Sequence, residues 1–152
     1  MEPINDYMMK DHRDCDGIFE RARDAADAGD WDAAARAAGT FLARIERHIE
    51  LEEDLLFPAF EESSGTSVGG PTETMRSEHV QMRPLFEQMR AALEAKNARQ
   101  YGEAAQALHE ILMQHNMKEE QMMYPMLDQS LGDDGAQRMV ARLRERALPE
   151  TA

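Results

Sequence analysis

Helical patterns of apolar and polar positions run along this chain and stop only at short clusters of glycine, serine, proline and aspartate. The first pattern starts near Asn5 or Asp6, either of which suits a helix N-cap, and continues to about Ala28. Gly29 and Asp30 interrupt it, the glycine as a stop and the aspartate as the cap of a second helix from Trp31 to about Glu62. The stretch from Ser63 to Pro71 is too rich in Gly, Ser and Pro for an element and reads as a loop. Thr72 then caps a third helix reaching about Lys96, and a fourth covers about Ala98 to Gln129. Gly132-Asp133-Asp134-Gly135 separates a short fifth helix, Ala136 to Ala147, whose Met139, Val140 and Leu143 suit packing on the outside of a bundle. Pro58, Pro84 and Pro125 fall inside helical patterns and are expected to kink or shorten them.

The pattern is one unit used twice. An offset of 67 residues places His12 on His79, Phe19 on Phe86, Glu20 on Glu87, His48 on His115, Glu52 on Glu119, Glu53 on Glu120, Pro58 on Pro125 and Ser63 on Ser130 without a gap. The expected fold is an all-α, antiparallel, up-down-up-down four-helix bundle forming one domain over residues 1–152. Two repeated hairpins, 6–62 and 72–130, are joined by the Gly/Ser loop 63–71 and followed by the short C-terminal helix 136–147.

Composition agrees and narrows the partners. Aromatic residues are only 6% while Met, Ala, Leu, Glu and Arg abound, which favours helices over strands. A formal net charge of −13 argues against nucleic acid or anionic membranes as partners and leaves small ligands, cations and basic proteins. The single cysteine, Cys15, excludes an internal disulfide or a CxxC site. No apolar run approaches the ~20 residues that span a bilayer, and the start lacks signal-peptide character, so a cytoplasmic protein is expected.

The chemistry lies in what repeats. In each unit a histidine is followed 36 positions later by His-x-x-x-Glu: His12 with His48 and Glu52, then His79 with His115 and Glu119. Within each hairpin the two histidines are nearly equidistant from the turn, roughly 25 Å at about 1.5 Å per residue, so all four can share one layer. Each glutamate follows its histidine by four residues and lies about one turn further on nearly the same face. Buried carboxylates need a partner or a metal, and imidazole with carboxylate suits iron, manganese or zinc. Four imidazoles and two carboxylates make a site for two metals. If both glutamates bridge, each metal receives four protein donors, an oxo or hydroxo bridge fills a fifth octahedral position, and one remains for water or a small diatomic ligand.

This arrangement, with the pairs Phe57-Pro58 and Tyr124-Pro125 after the glutamates, resembles the hemerythrin-like, or HHE cation-binding, family from Asp6 to about Ser130. The resemblance implies a carboxylate-bridged di-iron centre that reacts with O2 or NO. Oxygen-carrying hemerythrins have one more histidine on the third helix and an aspartate on the fourth. Here Met75 and Arg83 stand four residues either side of His79, and Glu119 takes the place of the aspartate. The ligand set is similar instead to di-iron proteins that repair iron–sulfur centres, although their cysteine-bearing domain is absent from this sequence. The Glu-x-x-His motif of ferritin-like bundles is missing, since Ile45, Arg76 and Leu112 stand three before His48, His79 and His115.

Other residues take quieter roles. His109 aligns with Leu42 and is expected outside the site. Glu53 and Glu120 are either surface charges or hydrogen-bond partners of the ligands, while Asp11 and Glu78 read as a solvated face. Met8, Met9, Met75, Met82, Met122, Met123, Leu55, Leu56, Phe19 and Phe86 are mostly core around the ligands, and Cys15 is a small buried residue.

The leading expectation is a non-haem di-iron protein that binds or senses O2 or NO, or takes part in iron supply or iron–sulfur repair. A di-iron oxidase, peroxidase-like or NO-reducing enzyme and a metal-stabilised interaction module are the alternatives, with a homodimer or an unknown protein as possible partner.

Overall fold

A computed structural model describes residues 2–65 and 70–147 of the chain. Helices dominate: α1 (Ile4–Asp27), α2 (Trp31–Leu51), α3 (Phe57–Ser64), α4 (Pro71–Ala95), α5 (Ala98–Lys118) and α6 (Tyr124–Arg146). Two π-helical turns, Glu52–Leu56 and Glu119–Met123, carry α2 into α3 and α5 into α6. The expected all-α four-helix bundle forms: α1 with α2 and α4 with α5 are hairpins, and α1 also packs on α5 and α2 on α4. Side-chain pairs along the seams run antiparallel, as Asp11–His48 with Asp14–Arg44, Glu46–Arg90 with Glu53–Arg83, and His12–Glu120 with Arg23–Gln106.

Several ends follow from the residues named above. Gly29 takes a positive φ of 75° behind α1, and Asp30 caps α2 by accepting the Ala33 N–H at 3.2 Å. The start of α1 differs from expectation. Neither Asn5 nor Asp6 caps it, because Asp128 of α6 accepts the N–H groups of Ile4 and Asn5 at 2.8 and 3.0 Å and lets the helix begin earlier. Thr72 is not a cap either: Pro71, with φ pre-set for a first helical turn, follows Gly70, and buried Thr72 donates its hydroxyl to Glu61 at 2.7 Å. Residues 66–69 of the expected loop lie outside the described residues.

The prolines behave in two ways. Pro84 sits inside α4 without ending it. Pro58 and Pro125 each follow the residue whose N–H closes a π turn, Phe57 to Glu52 and Tyr124 to Glu119. Lacking an N–H, neither proline can continue ordinary helical pairing back through the bulge.

The C-terminal segment packs on the bundle through the expected Met139, Val140 and Leu143, although less of the chain separates it than residues 132–135 implied. Its break is a single residue, Gly132 at φ 72° and ψ 173°, after which Ala136, Met139, Val140 and Leu143 are buried with Ile4, Met8, Leu51, Leu55 and Phe60. These residues leave an apolar end on the bundle, remote from the hairpin turns, and the helix covers it. A second apolar cluster, including Phe19, Phe41, Phe86, Met89 and Leu108, fills the half nearer the turns. Between the two clusters lies a layer of buried polar side chains. Among the described residues no helix is long and apolar enough to cross a membrane.

Candidate metal centre

That polar layer consists of His12, His48, Glu52, His79, His115 and Glu119, none more than 3% exposed. One histidine comes from each of α1, α2, α4 and α5, and each glutamate opens a π turn. All six residues singled out from the repeat are brought to one interior point. Their donor atoms form two groups, His12, His48 and Glu119 in one, and Glu52, His79, His115 and Glu119 in the other, with the atoms of each group within 4.8 Å of one another.

The histidines face each other through Nε2, at 3.0 Å for His12 with His48 and 3.2 Å for His79 with His115. Each Nδ1 is held from behind by a carboxylate: Glu120 at 2.6 Å from His12, Asp11 at 2.7 Å from His48, Glu53 at 2.8 Å from His79 and Glu78 at 2.8 Å from His115. The four carboxylates make a closed circuit, in which α1 holds the histidine of α2, the π turn after α2 that of α4, α4 that of α5, and the π turn after α5 that of α1. An Nδ1–H donated to each carboxylate leaves the Nε2 lone pair aimed inward. Two such lone pairs about 3 Å apart repel unless a proton or a cation stands between them.

Asp11 and Glu78 are therefore not a solvated face. They are 24% and 16% exposed, and each anchors the histidine of its hairpin partner. Glu53 and Glu120 are hydrogen-bond partners rather than bare surface charges. Arg44 steadies Asp11 at 3.0 Å, and Lys118 and Arg83 pair with Glu78 and Glu53.

Electrostatics agree with a site built for positive charge. Burial opposes the charged form of His48, but Glu52 and Asp11 outweigh it and hold the imidazolium well above its ordinary range. The same contest, with Glu119 and then Glu52 as partners, takes His115 up to about 11, and Glu119 and Glu120 raise His12. Burial alone would raise Glu52 and Asp11; His48 instead keeps Glu52 well below the carboxylate range and, with Arg44, brings Asp11 to about 2. Glu119 Oε2 is buried and makes no hydrogen bond, although it lies 3.2 Å from His115 Nε2. An imidazole nitrogen and a carboxylate oxygen addressed to one buried point without a hydrogen bond between them are the donor set of a metal site once the nitrogen gives up its proton, so the residues fit one.

One member of the centre was not read from the sequence. Tyr124 is fully buried, and its Oη lies 2.6 Å from Glu52 Oε2 and 3.0 Å from Glu119 Oε1. Burial, Glu119 and Glu52 together push its hydroxyl well above the phenol range, so it stays protonated as a donor. In an α-helix a residue five positions on points elsewhere, and only the π turn sets Tyr124 over Glu119. His109 is outside the centre, stacked on Phe19 at 6.2 Å between ring centroids. Met122 is exposed and Met9 half-buried, while the other apolar residues expected around the ligands, and Cys15, are buried.

The circuit of carboxylates yields a prediction. Asp11→Asn keeps the shape but removes the charge that holds His48, and metal affinity is expected to fall about 10–100-fold. Competition against a chromophoric chelator checks this. An unchanged affinity would make the Asp11–His48 contact incidental.

A family model described as hemerythrin HHE cation binding domain matches residues 4–146. A Schizosaccharomyces pombe protein described as an uncharacterized hemerythrin-like protein is 28% identical over 144 residues, covering 93% of this chain and 67% of that protein. No solved structure matches the chain significantly.

Proposed function

This chain belongs to the hemerythrin HHE cation-binding family, and from that premise we propose that it is a non-haem di-iron protein that binds or senses O2 or NO. His12, His48, His79 and His115 would hold the two ions as terminal ligands, and Glu52 and Glu119 would be shared between them. The observation that carries this reading is the facing of the Nε2 atoms in two pairs, 3.0 and 3.2 Å apart, with every Nδ1 already engaged by a carboxylate. Such a centre calls for positive charge between the facing atoms, and the mixture of imidazole and carboxylate suits iron, with manganese and zinc also within its chemistry.

When bound, iron supplies the affinity for O2 and NO and the change of oxidation state that a sensor reads. The protein's own part is to fix the imidazole tautomers, to neutralise the ions with Glu52 and Glu119, and to bracket the layer with two apolar clusters that limit bulk water. A role in iron supply or in repair of iron–sulfur centres would use the same ligands.

The test is reconstitution with ferrous iron under anaerobic conditions, followed by exposure to O2, NO or azide. About two irons per chain and a stoichiometric change in the near-ultraviolet and visible spectrum are expected. Tight metal binding with no spectral response would contradict the gas-binding reading, and catalytic consumption of H2O2 or NO would replace it with an enzymatic one.

A further inference from the structure

The repeat relates the two halves of the centre, yet one pair of matched positions differs in chemistry. Phe57 stacks on His79, with ring centroids 5.5 Å apart and an interplanar angle of 19°. Its counterpart Tyr124 lies against His12 at 5.8 Å and 33°. The hydroxyl that distinguishes them points into the centre, 3.4 Å from Nε2 of both His12 and His48 as well as within hydrogen-bond reach of Glu52 and Glu119. No such group exists on the other side, where Phe57 offers only a ring.

The carboxylates do not distinguish the two halves. Glu52 lies 3.1 Å from His79 and 3.7 Å from His48, and Glu119 lies 3.2 Å from both His12 and His115. The Tyr124 hydroxyl is what sets them apart. An O–H beside an ion can donate to a ligand added there when that ligand is an anion.

We propose that Tyr124 makes the two metal positions unequal and directs a small anionic ligand, of the size and charge of azide, to the ion held by His12 and His48 by donating its hydroxyl hydrogen to that ligand. This rests on the two-ion reading above. Tyr124 here is a positioning and specificity residue for the added ligand and is not itself bonded to a metal.

The experiment compares the iron-loaded wild-type chain with Tyr124→Phe, a substitution that removes one buried oxygen and retains the ring. Iron content, azide titration by absorbance and Mössbauer spectra are measured on both. The variant should retain its iron and bind azide about tenfold or more weakly, the effect of losing a hydrogen bond to a charged acceptor. Its two iron signals should also move closer together than in the wild type. Equal azide affinity in the two proteins would overturn the proposal. So would loss of iron from the variant, or an intense visible charge-transfer band that vanishes with the tyrosine, since either would mean that the oxygen serves as a ligand. A wild-type chain that takes up fewer than two irons would instead remove the two-ion reading, and this proposal with it.

Discussion

Glu52→Ala should reduce the iron content from about two per chain to one or none, the largest effect expected of any single substitution here. Glu52 is 0% exposed, and its oxygens lie 3.1 Å from His79 Nε2, 2.6 Å from Tyr124 Oη, 3.7 Å from His48 Nε2 and 3.9 Å from His115 Nε2. Both facing pairs of histidines thus share one carboxylate. Removing it takes away the negative charge that balances cations in a buried layer and leaves Glu119 as the carboxylate acceptor of the Tyr124 hydroxyl. Glu53→Gln is the internal comparison, because Glu53 is 30% exposed and reaches the outer nitrogen of His79 and Arg83 rather than an inward-facing nitrogen. It should weaken binding without abolishing it. Iron analysis of the purified variants separates the two, and a Glu52→Ala protein that keeps its full iron complement would refute the bridging role.

Removing the metal is expected to lower the melting temperature by roughly 10 °C, from about 4 kcal/mol of linkage if free iron stands near a thousand times its Kd, at about 2–4 °C per kcal/mol for a chain of this size. The loss should grow with pH. In the metal-free protein His48, His12 and His115 are raised above the ordinary imidazole value, so the stability they contribute is complete below about pH 6.5 and disappears as pH rises, toward about 11 for His115. Glu52 and Asp11 are depressed, and their contribution is present above about pH 4 and fades only as pH falls, toward about 2 for Asp11. The metal-free protein is therefore most stable between those limits. Iron displaces the protons from the Nε2 atoms, so its affinity strengthens as pH rises. Melting curves of loaded and stripped protein at about pH 6 and about pH 8.5 should show the wider gap at the higher pH. A gap that narrows with pH would contradict the assignment of protons to these histidines.

Much of the centre was legible because the repeat acts as an internal comparison. His12 with His79, His48 with His115 and Glu52 with Glu119 stand out against residues that vary between the units, and helix geometry suffices to bring them to one level. Tyr124 escaped that logic. At five residues beyond Glu119 it should point away from the ligand face of an α-helix, and the π turn that re-aims it leaves no periodic signal. Its trace in the sequence is the pairing of Phe57 with Tyr124 at the same offset, one hydroxyl apart, each followed by proline. Asp11 and Glu78 looked solvated because each precedes a histidine on its own helix, whereas each serves the histidine of the neighbouring helix. Contacts across a seam depend on the rotation of two helices about their axes, which the pattern on either one does not fix. The same holds for Asp128 at the start of α1.

The central claim is that two ions sit between four facing histidines. Anomalous diffraction at the iron edge, from crystals of the iron-loaded protein, tests it most directly. Two peaks are predicted, one beside His12 and His48 and the other beside His79 and His115, with Glu52 and Glu119 between them. A single peak, or peaks outside this layer, would contradict it.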